Sequence, residues 1–543
     1  MKQIWLLSLF IFSLVASAQR KRIDLLIYNA KIYTVDAKFS KATAIAIKDG
    51  KIIDVGGNGV KNRYWPLQTF NADGKFVYPG FIDAHAHFFG YAIGLQNANL
   101  VGTDSWEEIV STLTTFAASH PDGWLLGRGW DQNDWATKDF PSNDKLNELF
   151  PNRPVLLTRV DGHAAIANQK ALDLAGIKAG NQLTGGEIQT KNGKLTGILV
   201  DNAVDLVSQY IPSQTQQQVG KLLLEAQSNC FAAGLTTLDD CGLPFESVEL
   251  AKQMQAAGNL KMRLYIMLSD GTANYDWAKK NGKLKTDRLN VRSFKVYADG
   301  ALGSRGACLL EPYSDQQGHY GFLLSSQQHF DSVARVINDL GFQMCTHAIG
   351  DSGNRTMLTI YGKYLKGKND QRWRIEHAQV INQNDFSLFG KYNIIPSVQP
   401  THATSDMYWA GDRLGAKRVK GAYAYKQLLN QNNWIPLGTD FPVEDISPFK
   451  TFHSAVFRTD SKEYPSGGYQ MENALTRQEA LRGMTIWAAK ANFEEKEKGS
   501  LEKGKFADFI ILDKDIMTID SKDILTTSVL ATFINGENVY RKK

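Results

Sequence analysis

The sequence predicts an α/β protein: a (β/α)8 TIM barrel with a mixed α/β insertion, plus a small β-sandwich built from both chain termini. Three observations predict this fold. Short apolar strands alternate with amphipathic helical segments through the middle of the chain, and eight such strands can be counted. Alternating strands and helices favour a parallel sheet, and eight units favour a barrel. The two chain ends instead show short β patterns with hairpin turns.

Length and composition fit a large soluble protein. With 543 residues the chain can bury a sizeable core and form more than one domain. It contains 43% hydrophobic and 22% charged residues, which are ordinary values for a globular protein. The formal net charge of +5 is small for this length, and the chain has no long basic run. Nucleic acid is therefore not expected as a partner.

The first 18 residues are typical of a secretory signal peptide. Lys2 supplies a positive charge, Ile4–Val15 an apolar segment, and Ala16-Ser17-Ala18 a small-residue cleavage motif. The alternative is an uncleaved anchor helix, but about twelve apolar residues are too few to span a bilayer comfortably. We expect cleavage after Ala18, export to the periplasm or the extracellular space, and no stable membrane insertion of the mature chain.

The cysteines indicate no metal site of their own. They show neither a CxxC motif nor a zinc-finger spacing, and most lie among small or apolar residues. Buried free thiols are the expected state. The alternative is one disulfide bond, which an oxidising compartment would allow. The four residues are Cys230, Cys241, Cys308 and Cys345.

The β patterns at the two ends predict one sandwich, formed by residues 19–80 together with residues 486–543. Near the N-terminus, Asp49-Gly50 separates two alternating runs, which is a hairpin signal. Near the C-terminus, Asn535-Gly536 marks a second hairpin. Two unrelated satellite sheets are the alternative. The barrel domain is then expected to span residues 81–485.

Eight segments carry the predicted barrel strands. They are FVYPGFIDAHAHF from Phe76, LTTLDDCG from Leu235, MRLYIML from Met262, VRSFKVYADG from Val291, FQMCTHAIGD from Phe342, WRIEHAQ from Trp373, IIPSVQP from Ile394 and IPLGTDFP from Ile435. Residues from about 91 to 225 are too long for a single crossover, so they predict the insertion. Insertions after barrel strands lie over the catalytic face, and this one is expected to form a lid or pocket wall.

Residues that suit metal binding recur at the ends of these strands. His85 and His87 end the first strand, where residues two apart share a face and lie roughly 6.6 Å apart along the strand. In such barrels, catalytic groups come from the carboxyl ends of different strands. Later strands contribute four more residues in this position: Lys295, His347, His377 and Asp440.

Taken singly, these residues have simpler interpretations. A His-x-His pair at a strand end is often solvated or part of a core, and a lone lysine such as Lys295 is more often a surface or ion-paired residue. His347 and His377 alone would be satisfied core histidines, and Asp440 alone would be a helix N-cap. Their joint position at the ends of different strands favours a shared metal centre.

Five motifs together resemble those of the amidohydrolase superfamily of metal-dependent hydrolases: DAHAH, KVYADGALGSRGA, THAIGD, EHAQ and GTDFP. The long insertion and the ADGALGSR loop are similar to its YtcJ-like branch, which includes N-substituted formamide deformylases. The resemblance covers nearly the whole mature chain, including the terminal β-sandwich. It is specific for the superfamily and only weakly specific for the substrate.

The resemblance implies one or two divalent metal ions, with zinc the expected element. It assigns His85 and His87 to a first ion, and His347 and His377 to a second. Asp440 would bind the first ion and take the proton of the attacking water. Neutral imidazoles and carboxylates suit zinc or a similar divalent ion, and thiolates are not required.

The resemblance also assigns catalytic roles to Lys295, His377 and Asp440. Lys295 matches the position at which other members carry a carbamylated lysine between two metals. An unmodified lysine would repel cations, whereas its carbamate is an anion with two oxygen ligands. Two metals about 3.5–4 Å apart would polarise the scissile carbonyl of the substrate.

Residues in the predicted loops of the catalytic face are expected to contact the substrate. Aromatic residues in such number favour an apolar or aromatic substituent on it, and packing of a lid is the alternative. For Arg305, carboxylate binding and bracing of its loop both stay open. The seven residues are Trp130, Asp131, His163, Tyr297, Arg305, His319 and His402.

The expected activity is hydrolysis of a non-peptide C–N bond in a small molecule: an amide, a formamide or a cyclic amide. The same site would suit a carbamate, a lactone or another ester, because the electrophile is similar. Two other classes stay open: a barrel that binds metal or ligand without turnover, and an extracellular adhesion or structural module. A homodimer is expected only as the commonest assembly of soluble oligomers.

Overall fold

The computed structural model describes residues 20–543, so the predicted signal peptide lies outside the described residues. None of the described helices is both long enough and apolar enough to cross a bilayer. All four cysteines are free thiols, and three of them (Cys230, Cys241 and Cys345) are buried. The alternative of a disulfide bond is therefore not realised in this structure.

The N-terminal segment forms short strands with one helical turn among them. The elements are β1 (Lys21–Tyr28), β2 (Lys31–Tyr33), β3 (Lys41–Ala42), β4 (Ala44–Lys48), β5 (Lys51–Gly56), α1 (Val60–Arg63), β6 (Tyr64–Asn71) and β7 (Phe76–Pro79). The predicted hairpin joins β4 to β5, with Lys48 paired to Lys51. Asp49 and Gly50 have φ values of 50° and 72°, as a two-residue type I′ turn requires.

The insertion follows the first barrel strand, β8 (Phe81–Ala86), and the short helix α2 (Phe88–Gly94). Its elements are β9 (Ala98–Asn99), α3 (Trp106–Ser119), β10 (Leu125–Trp130), α4 (Asp144–Leu149), β11 (Val155–Arg159), β12 (Ala164–Ala167), α5 (Gln169–Leu174), β13 (Gly186–Lys191), β14 (Lys194–Asp201) and α6 (Asn202–Ser208). The strands form one mixed sheet in the order β13-β14-β12-β11-β10-β9. Apolar clusters on this sheet give the insertion a core of its own.

The chain then completes the barrel. The elements are α7 (Gln216–Ala232), β15 (Leu235–Leu243), α8 (Phe245–Ala256), β16 (Arg263–Ser269), α9 (Thr272–Asn281), β17 (Leu284–Lys285), β18 (Leu289–Tyr297), α10 (Gln327–Leu340), β19 (Gln343–Ala348), α11 (Asp351–Leu365), β20 (Arg374–His377), α12 (Phe386–Tyr392), β21 (Ile395–Ser397), α13 (Pro400–Asp406), α14 (Ala410–Arg418), α15 (Tyr425–Asn432), α16 (Pro448–Phe457), α17 (Arg477–Gly483) and α18 (Ile486–Ala491). Seven parallel strands follow one another in the order β8-β15-β16-β18-β19-β20-β21.

The eighth predicted strand closes the barrel without forming a regular ladder. Leu437 makes a parallel bridge to Val398, just beyond β21. On its other side, the carbonyl of Leu437 accepts a hydrogen bond from the amide of Ala84 in β8 (3.2 Å). A Cβ on Gly438 would lie 2.6 Å from the backbone nitrogen of His85, so only glycine fits where the two ends of the sheet meet.

The C-terminal strands complete the sandwich. They are β22 (Phe509–Leu512), β23 (Val529–Ile534) and β24 (Glu537–Arg541), with α19 (Ser521–Ile524) among them. Because β22 pairs with β7, one sheet runs β24-β23-β22-β7-β2-β3, and a second sheet runs β5-β4-β1-β6. Side chains of both sheets, including Ile27, Ile47, Phe509 and Phe533, share one core. The predicted fold class is confirmed, while the domain limits 19–80, 81–485 and 486–543 stay predictions.

A buried ion pair joins the barrel to the sandwich. Arg263 on β16 donates from Nε to Asp508 Oδ2 (2.6 Å) and from Nη2 to Oδ1 (3.0 Å). Both side chains are buried, so removing the cation would leave an uncompensated carboxylate. We expect Arg263→Met to lower the free energy of unfolding, measured in urea, by about 3–5 kcal/mol. Arg63→Met, which breaks an exposed pair with Asp54, should cause no measurable loss; equal losses would contradict the assignment.

Candidate metal centre and active site

The six predicted metal ligands meet at the carboxyl end of the barrel. His85 ends β8 and lies fully buried behind a cavity of about 660 Å³. The cavity lies between the barrel mouth and the insertion, because residues of both line it. The other five predicted ligands line this cavity: His87, Lys295, His347, His377 and Asp440.

The nitrogen and oxygen atoms of this group lie close together. The Nε2 atom of His85 is 3.1 Å from Lys295 Nζ and 3.6 Å from Asp440 Oδ1. The Nε2 atom of His87 is 3.2 Å from the same oxygen. One donor atom each of His85, His377 and Asp440 lie within 4.8 Å of one another. These spacings suit a single ion held by imidazole nitrogens and a carboxylate oxygen.

His347 is placed differently from the three closest donors. It lies on β19, and its ring centroid is 4.6 Å from that of His377. Its Nε2 atom is 3.5 Å from the carbonyl oxygen of Gly300 and 3.8 Å from Asp299 Oδ1. The structure thus gathers His85, His377 and Asp440 tightly and holds His347 at the edge of the group.

The Asp440 carboxylate is placed to bind a cation. Its Oδ1 atom is buried and accepts no hydrogen bond from any residue in 20–543. A buried, charged oxygen without a donor is costly unless a cation compensates it. Since nitrogen atoms of His85 and His87 face the same oxygen, the residues present fit a divalent metal ion.

The histidines are held in the form that binds metals. Burial, reinforced by the charge of Lys295, lowers the pKa of His85 to about 4. Burial likewise holds the pKa values of His347 and His377 well below the usual range, and neighbouring histidines add to the effect. All three imidazoles are therefore neutral at pH 7, and neutral imidazole is the ligand form.

Lys295 is a buried cation beside these nitrogens. Burial favours the neutral amine, but Tyr297, Cys241 and Glu376 outweigh it and raise the pKa of Lys295. The ammonium group lies 4.8 Å from the ring centroid of Tyr297. A positive charge 3.1 Å from His85 Nε2 opposes the binding of a cation by that histidine. Conversion of the amine into an anionic group would remove this conflict.

Backbone strain helps to aim two of the side chains. His377 and Asp440 have φ values of 71° and 65°, in the left-handed region that non-glycine residues rarely adopt. Such strain concentrates at functional sites and persists where the surroundings hold it. The amide of Asp440 donates to the carbonyl of His85 (2.8 Å), and His377 Nδ1 pairs with Gln399 Oε1 (2.8 Å).

Comparison with known proteins decides the family. A family model described as "Amidohydrolase family" matches residues 68–540. The chain belongs to the amidohydrolase family. This amidohydrolase is 31% identical over 525 residues to the putative amidohydrolase YtcJ of Bacillus subtilis (strain 168), covering 94% of this chain and 98% of that protein. It is 27% identical to the N-substituted formamide deformylase of Arthrobacter pascens, covering 96% and 98%.

A solved structure supports the same assignment. The crystal structure of an uncharacterized metal-dependent hydrolase from Pyrococcus horikoshii OT3 matches with a TM-score of 0.75 and 25% sequence identity. The match covers 92% of this amidohydrolase and 99% of that chain. The predicted superfamily and its YtcJ-like resemblance are confirmed. Membership of the family supports hydrolysis as the reaction class and a divalent metal as the cofactor.

Glu376 orients the first histidine of the amidohydrolase centre, and the sequence analysis missed it. Its Oε2 atom accepts a hydrogen bond from Nδ1 of His85 (2.6 Å), and both side chains are fully buried. Burial would raise the pKa of Glu376, but His85 and Arg374 hold it below the usual range. An anionic acceptor at Nδ1 leaves Nε2 as the free ligand atom. The available signal was an acidic residue inside the buried strand RIEH.

Glu376→Gln is expected to weaken metal binding by about 10- to 100-fold, which is the usual effect of altering a residue that hydrogen-bonds to a metal ligand. The amide is a weaker acceptor, so it holds the His85 ring and its tautomer less firmly. A competition titration with a chromogenic chelator measures this affinity. Glu225→Gln, at an exposed site on α7, should leave it unchanged. Equal affinities for Glu376→Gln and the wild type would contradict the orienting role.

His402, predicted to contact substrate, also holds Asp440. Its Nε2 atom lies 3.2 Å from Asp440 Oδ2, and its Nδ1 atom lies 3.1 Å from Glu444 Oε1. Burial would lower the pKa of His402, but these two carboxylates raise it well above the usual range. Burial would raise the pKa of Asp440, but the hydrogen bond from His402 and the nearby histidines hold it well below the usual range. Asp440 is therefore an ionised carboxylate whose Oδ2 atom contacts His402 while its Oδ1 atom faces His85 and His87.

Three other predicted substrate contacts line the cavity of the amidohydrolase: Asp131, His163 and Tyr297. His163 Nδ1 pairs with Asp201 Oδ1 (2.6 Å), and its ring centroid lies 4.8 Å from that of His347. Asp131 accepts a hydrogen bond from Arg159. These positions agree with a role in substrate contact, which stays a prediction.

Trp130 lies away from the cavity, in contrast to its predicted position. It is fully buried in the core of the insertion, and its Nε1 atom donates to the carbonyl of Leu157 (2.8 Å). The cause is a β-bulge in β10 between Arg128 and Trp130. A bulge shifts the alternation of side chains by one residue, so the indole turns to the core face of the sheet.

Arg305 and His319 also do not line the cavity. Arg305 forms an ion pair with Asp315 (Nη2–Oδ2 2.8 Å), and its backbone carbonyl lies 2.8 Å from His319 Nε2. Of the two roles left open for Arg305, the structure shows the bracing of its loop. The predicted substrate contact by these two residues does not fit their positions.

Proposed function

We propose that this amidohydrolase is an exported, metal-dependent hydrolase of a non-peptide C–N bond, as in an amide, a formamide or a cyclic amide. The observation that carries the proposal is the buried Oδ1 atom of Asp440, which accepts no hydrogen bond within residues 20–543 and lies 3.6 Å from His85 Nε2 and 3.2 Å from His87 Nε2. The similarity to an enzyme named N-substituted formamide deformylase supports the bond type. Asp440, Lys295 and His377 are the proposed catalytic residues.

The proposed metal ligands are those that the family resemblance implies, and the close group of His85, His377 and Asp440 lies among them. A first divalent ion would be held by His85, His87 and Asp440, and a second by His347 and His377. The nitrogen and oxygen donors suit zinc. Such ions would supply polarisation of the scissile carbonyl and would lower the pKa of water from 15.7 to about 7.

Lys295 contributes by changing its charge. As a carbamate formed with CO₂, its side chain would carry a negative charge and two oxygen atoms. These oxygen atoms would be available to the ligand groups of both ions. This modification would replace the ammonium group that now lies 3.1 Å from His85 Nε2. The modification would therefore replace a group that repels cations with a group that binds them.

Asp440 is the proposed proton carrier. Its low pKa keeps it ionised at neutral pH, so it can accept the proton of the attacking water. His402 holds Oδ2 in place at 3.2 Å and limits rotation of the carboxylate. The protonated carboxyl group then delivers the proton to the leaving nitrogen, which departs as a neutral amine.

The cavity suits a small molecule rather than a polymer. Its volume of about 660 Å³ falls within the roughly 300–1,000 Å³ typical of small-molecule sites. The insertion contributes Asp131 and His163 to its wall, and the barrel strands contribute the residues of the metal centre. A compact amide with one substituent extending toward the insertion fits this space.

A combined metal and substrate assay tests the proposal. We expect purified protein to carry one or two equivalents of zinc or a similar ion and to hydrolyse at least one N-formyl, N-acyl or cyclic amide compound. Chelation should abolish the activity and zinc should restore it. A chain that takes up no metal under any loading condition would overturn the proposal. Hydrolysis of esters alone would favour the esterase or lactonase alternative.

Export is proposed from the first 18 residues of the sequence. N-terminal sequencing of protein recovered outside the cytoplasm is expected to begin at Gln19. Recovery of the intact N-terminus in the cytoplasm would contradict export without affecting the proposed reaction.

A further inference from the structure

Arg128 on β10 is a cation that the proposed mechanism does not use. It lies in the cavity wall supplied by the insertion. Its Nη2 atom donates to the carbonyl of Val160 (3.0 Å), whereas its Nε atom is buried and has no acceptor within the described chain. Within residues 20–543 its guanidinium forms no ion pair with a carboxylate. A guanidinium that faces a cavity without a counter-ion is suited to bind an anion there.

The other basic side chains of the wall, outside the metal centre, already have partners. Arg159 contacts Asp131 and is 2.6 Å from Asp161 through Nη1 and Oδ2. Lys450 Nζ lies 2.8 Å from Asp445 Oδ2. Their charges are compensated within the protein, so they have little attraction left for a ligand.

Asp161 does not serve as a partner for Arg128, although it follows Val160 directly. One of its oxygens accepts from Arg159 Nη1 (2.6 Å), and the other accepts from the backbone amide of His163 (3.0 Å). Both carboxylate oxygens are thus engaged elsewhere. The positive charge of Arg128 remains available to the cavity.

The sequence WLLGRGW places Arg128 in this position by means of a bulge. The register of β10 shifts between Arg128 and Trp130, and Gly129 has a φ of 113°. A Cβ on Gly129 would lie 2.4 Å from the Val101 side chain, so only glycine fits. The bulge lets Arg128 face the cavity while the large Trp130 ring, two residues on, enters the core.

Arg128 lies close to the segment that carries His163, and His163 adjoins the metal centre. A Cβ on Gly162, the residue before His163, would lie 3.5 Å from Arg128 Nη1. The His163 ring centroid is 4.8 Å from that of His347, which belongs to the proposed metal ligands. A substrate with its scissile carbonyl at the metal centre would reach Arg128 by extending past His163.

We propose that Arg128 binds a carboxylate group of the substrate, so that the substrate class is an N-formyl or N-acyl amine that carries an anionic group. This inference rests on the proposed C–N hydrolase function. The planar guanidinium presents paired donors that match a carboxylate. Its partly enclosed position strengthens such a contact relative to one in open water.

A pair of similar substrates tests the subsite on zinc-loaded protein. N-formylphenylalanine carries the carboxylate, and N-formylphenethylamine lacks it. We expect the wild type to favour the former in kcat/KM by about 10-fold or more, and Arg128→Met to lower kcat/KM for it by about 10- to 100-fold. The neutral compound should change by less than about 3-fold, and Arg128→Lys should retain part of the preference.

Arg153→Met is the matched control. Arg153 lies in the same insertion and, like Arg128, donates to backbone carbonyls, those of Gly123 (2.9 Å) and Asp122 (3.0 Å), but it does not line the cavity. It should leave the substrate preference unchanged. Equal losses on both substrates in Arg128→Met would assign Arg128 a bracing role, and a wild-type preference for the neutral compound would also overturn the proposal.

A binding measurement separates this inference from the proposed reaction. If the wild type hydrolyses neither compound, the C–N hydrolase proposal is contradicted for this class, and calorimetric titration with 3-phenylpropanoate still tests the subsite. Any carboxylate binding at the metals is common to all variants. Affinity about 10-fold weaker in Arg128→Met but unchanged in Arg153→Met supports the subsite. Equal affinities in the wild type and Arg128→Met overturn it.

Discussion

Asp440→Asn is expected to remove nearly all turnover while leaving the fold and most of the bound metal in place. The amide keeps the shape of the carboxylate and one oxygen that can face the ion, but it cannot accept a proton. General-base catalysis contributes a factor of about 10² to 10⁴ to the rate, so we expect kcat to decrease by a factor in this range. His402 keeps its contact with Glu444 (3.1 Å), which limits rearrangement of the site.

Metal analysis by mass spectrometry, alongside kcat for a compound from the amide panel, measures both parts of this expectation. Asp445→Asn is the matched control, because Asp445 also lines the cavity but pairs with Lys450. It should leave kcat within about 3-fold of the wild type. If Asp440→Asn kept nearly full kcat, Asp440 would not be the proton carrier, whatever its role as a ligand.

The barrel was predictable because its strands follow simple rules. Strands such as β19 and β20 are buried along their whole length, as strands of a parallel sheet covered by helices must be. The irregular eighth strand was not predictable in detail. Pro436 has no amide to donate to a ladder, so the segment closes the barrel through a bridge at Leu437.

The positions of the metal-site residues were predictable for a related reason. In a parallel barrel, the carboxyl ends of all strands meet on one face, so residues as distant as His85 and Asp440 fall together. Their supporting partners were not predictable. Glu376 lies 291 positions from His85, and only the folded barrel shows that its side chain points to that histidine rather than to its neighbour His377.

The cavity wall was the least predictable part, because it depends on local irregularity and on tertiary partners. Trp130 enters the core and Arg128 faces the cavity because of one bulge at Gly129, which the glycine alone does not reveal. Arg305 looks as suitable for binding an anion as Arg128 does. The difference is Asp315, which compensates the charge of Arg305.

Lys295→Ala is expected to remove activity and to weaken binding of a metal pair. The variant loses the side chain that would supply both bridging oxygens. Its decrease in kcat should therefore exceed the roughly 100-fold decrease caused by altering a residue that only hydrogen-bonds to a metal ligand. Lys450→Ala, which removes a cavity-lining lysine paired with Asp445, is the control and should retain activity. Metal content and turnover are measured on the same samples.

Rescue by small carboxylic acids separates a lost ligand from a damaged fold. Formate or acetate can occupy the space vacated by Lys295 and supply a carboxylate in place of the carbamate. Added acid should therefore restore part of the activity. Reconstitution of metal-free wild type should require bicarbonate, because its carbamate must form anew, whereas the acetate-rescued variant should not require it. Unchanged turnover in Lys295→Ala, or reconstitution of the wild type independent of bicarbonate, would contradict the carbamate and leave Lys295 as a buried cation that the metal centre must tolerate.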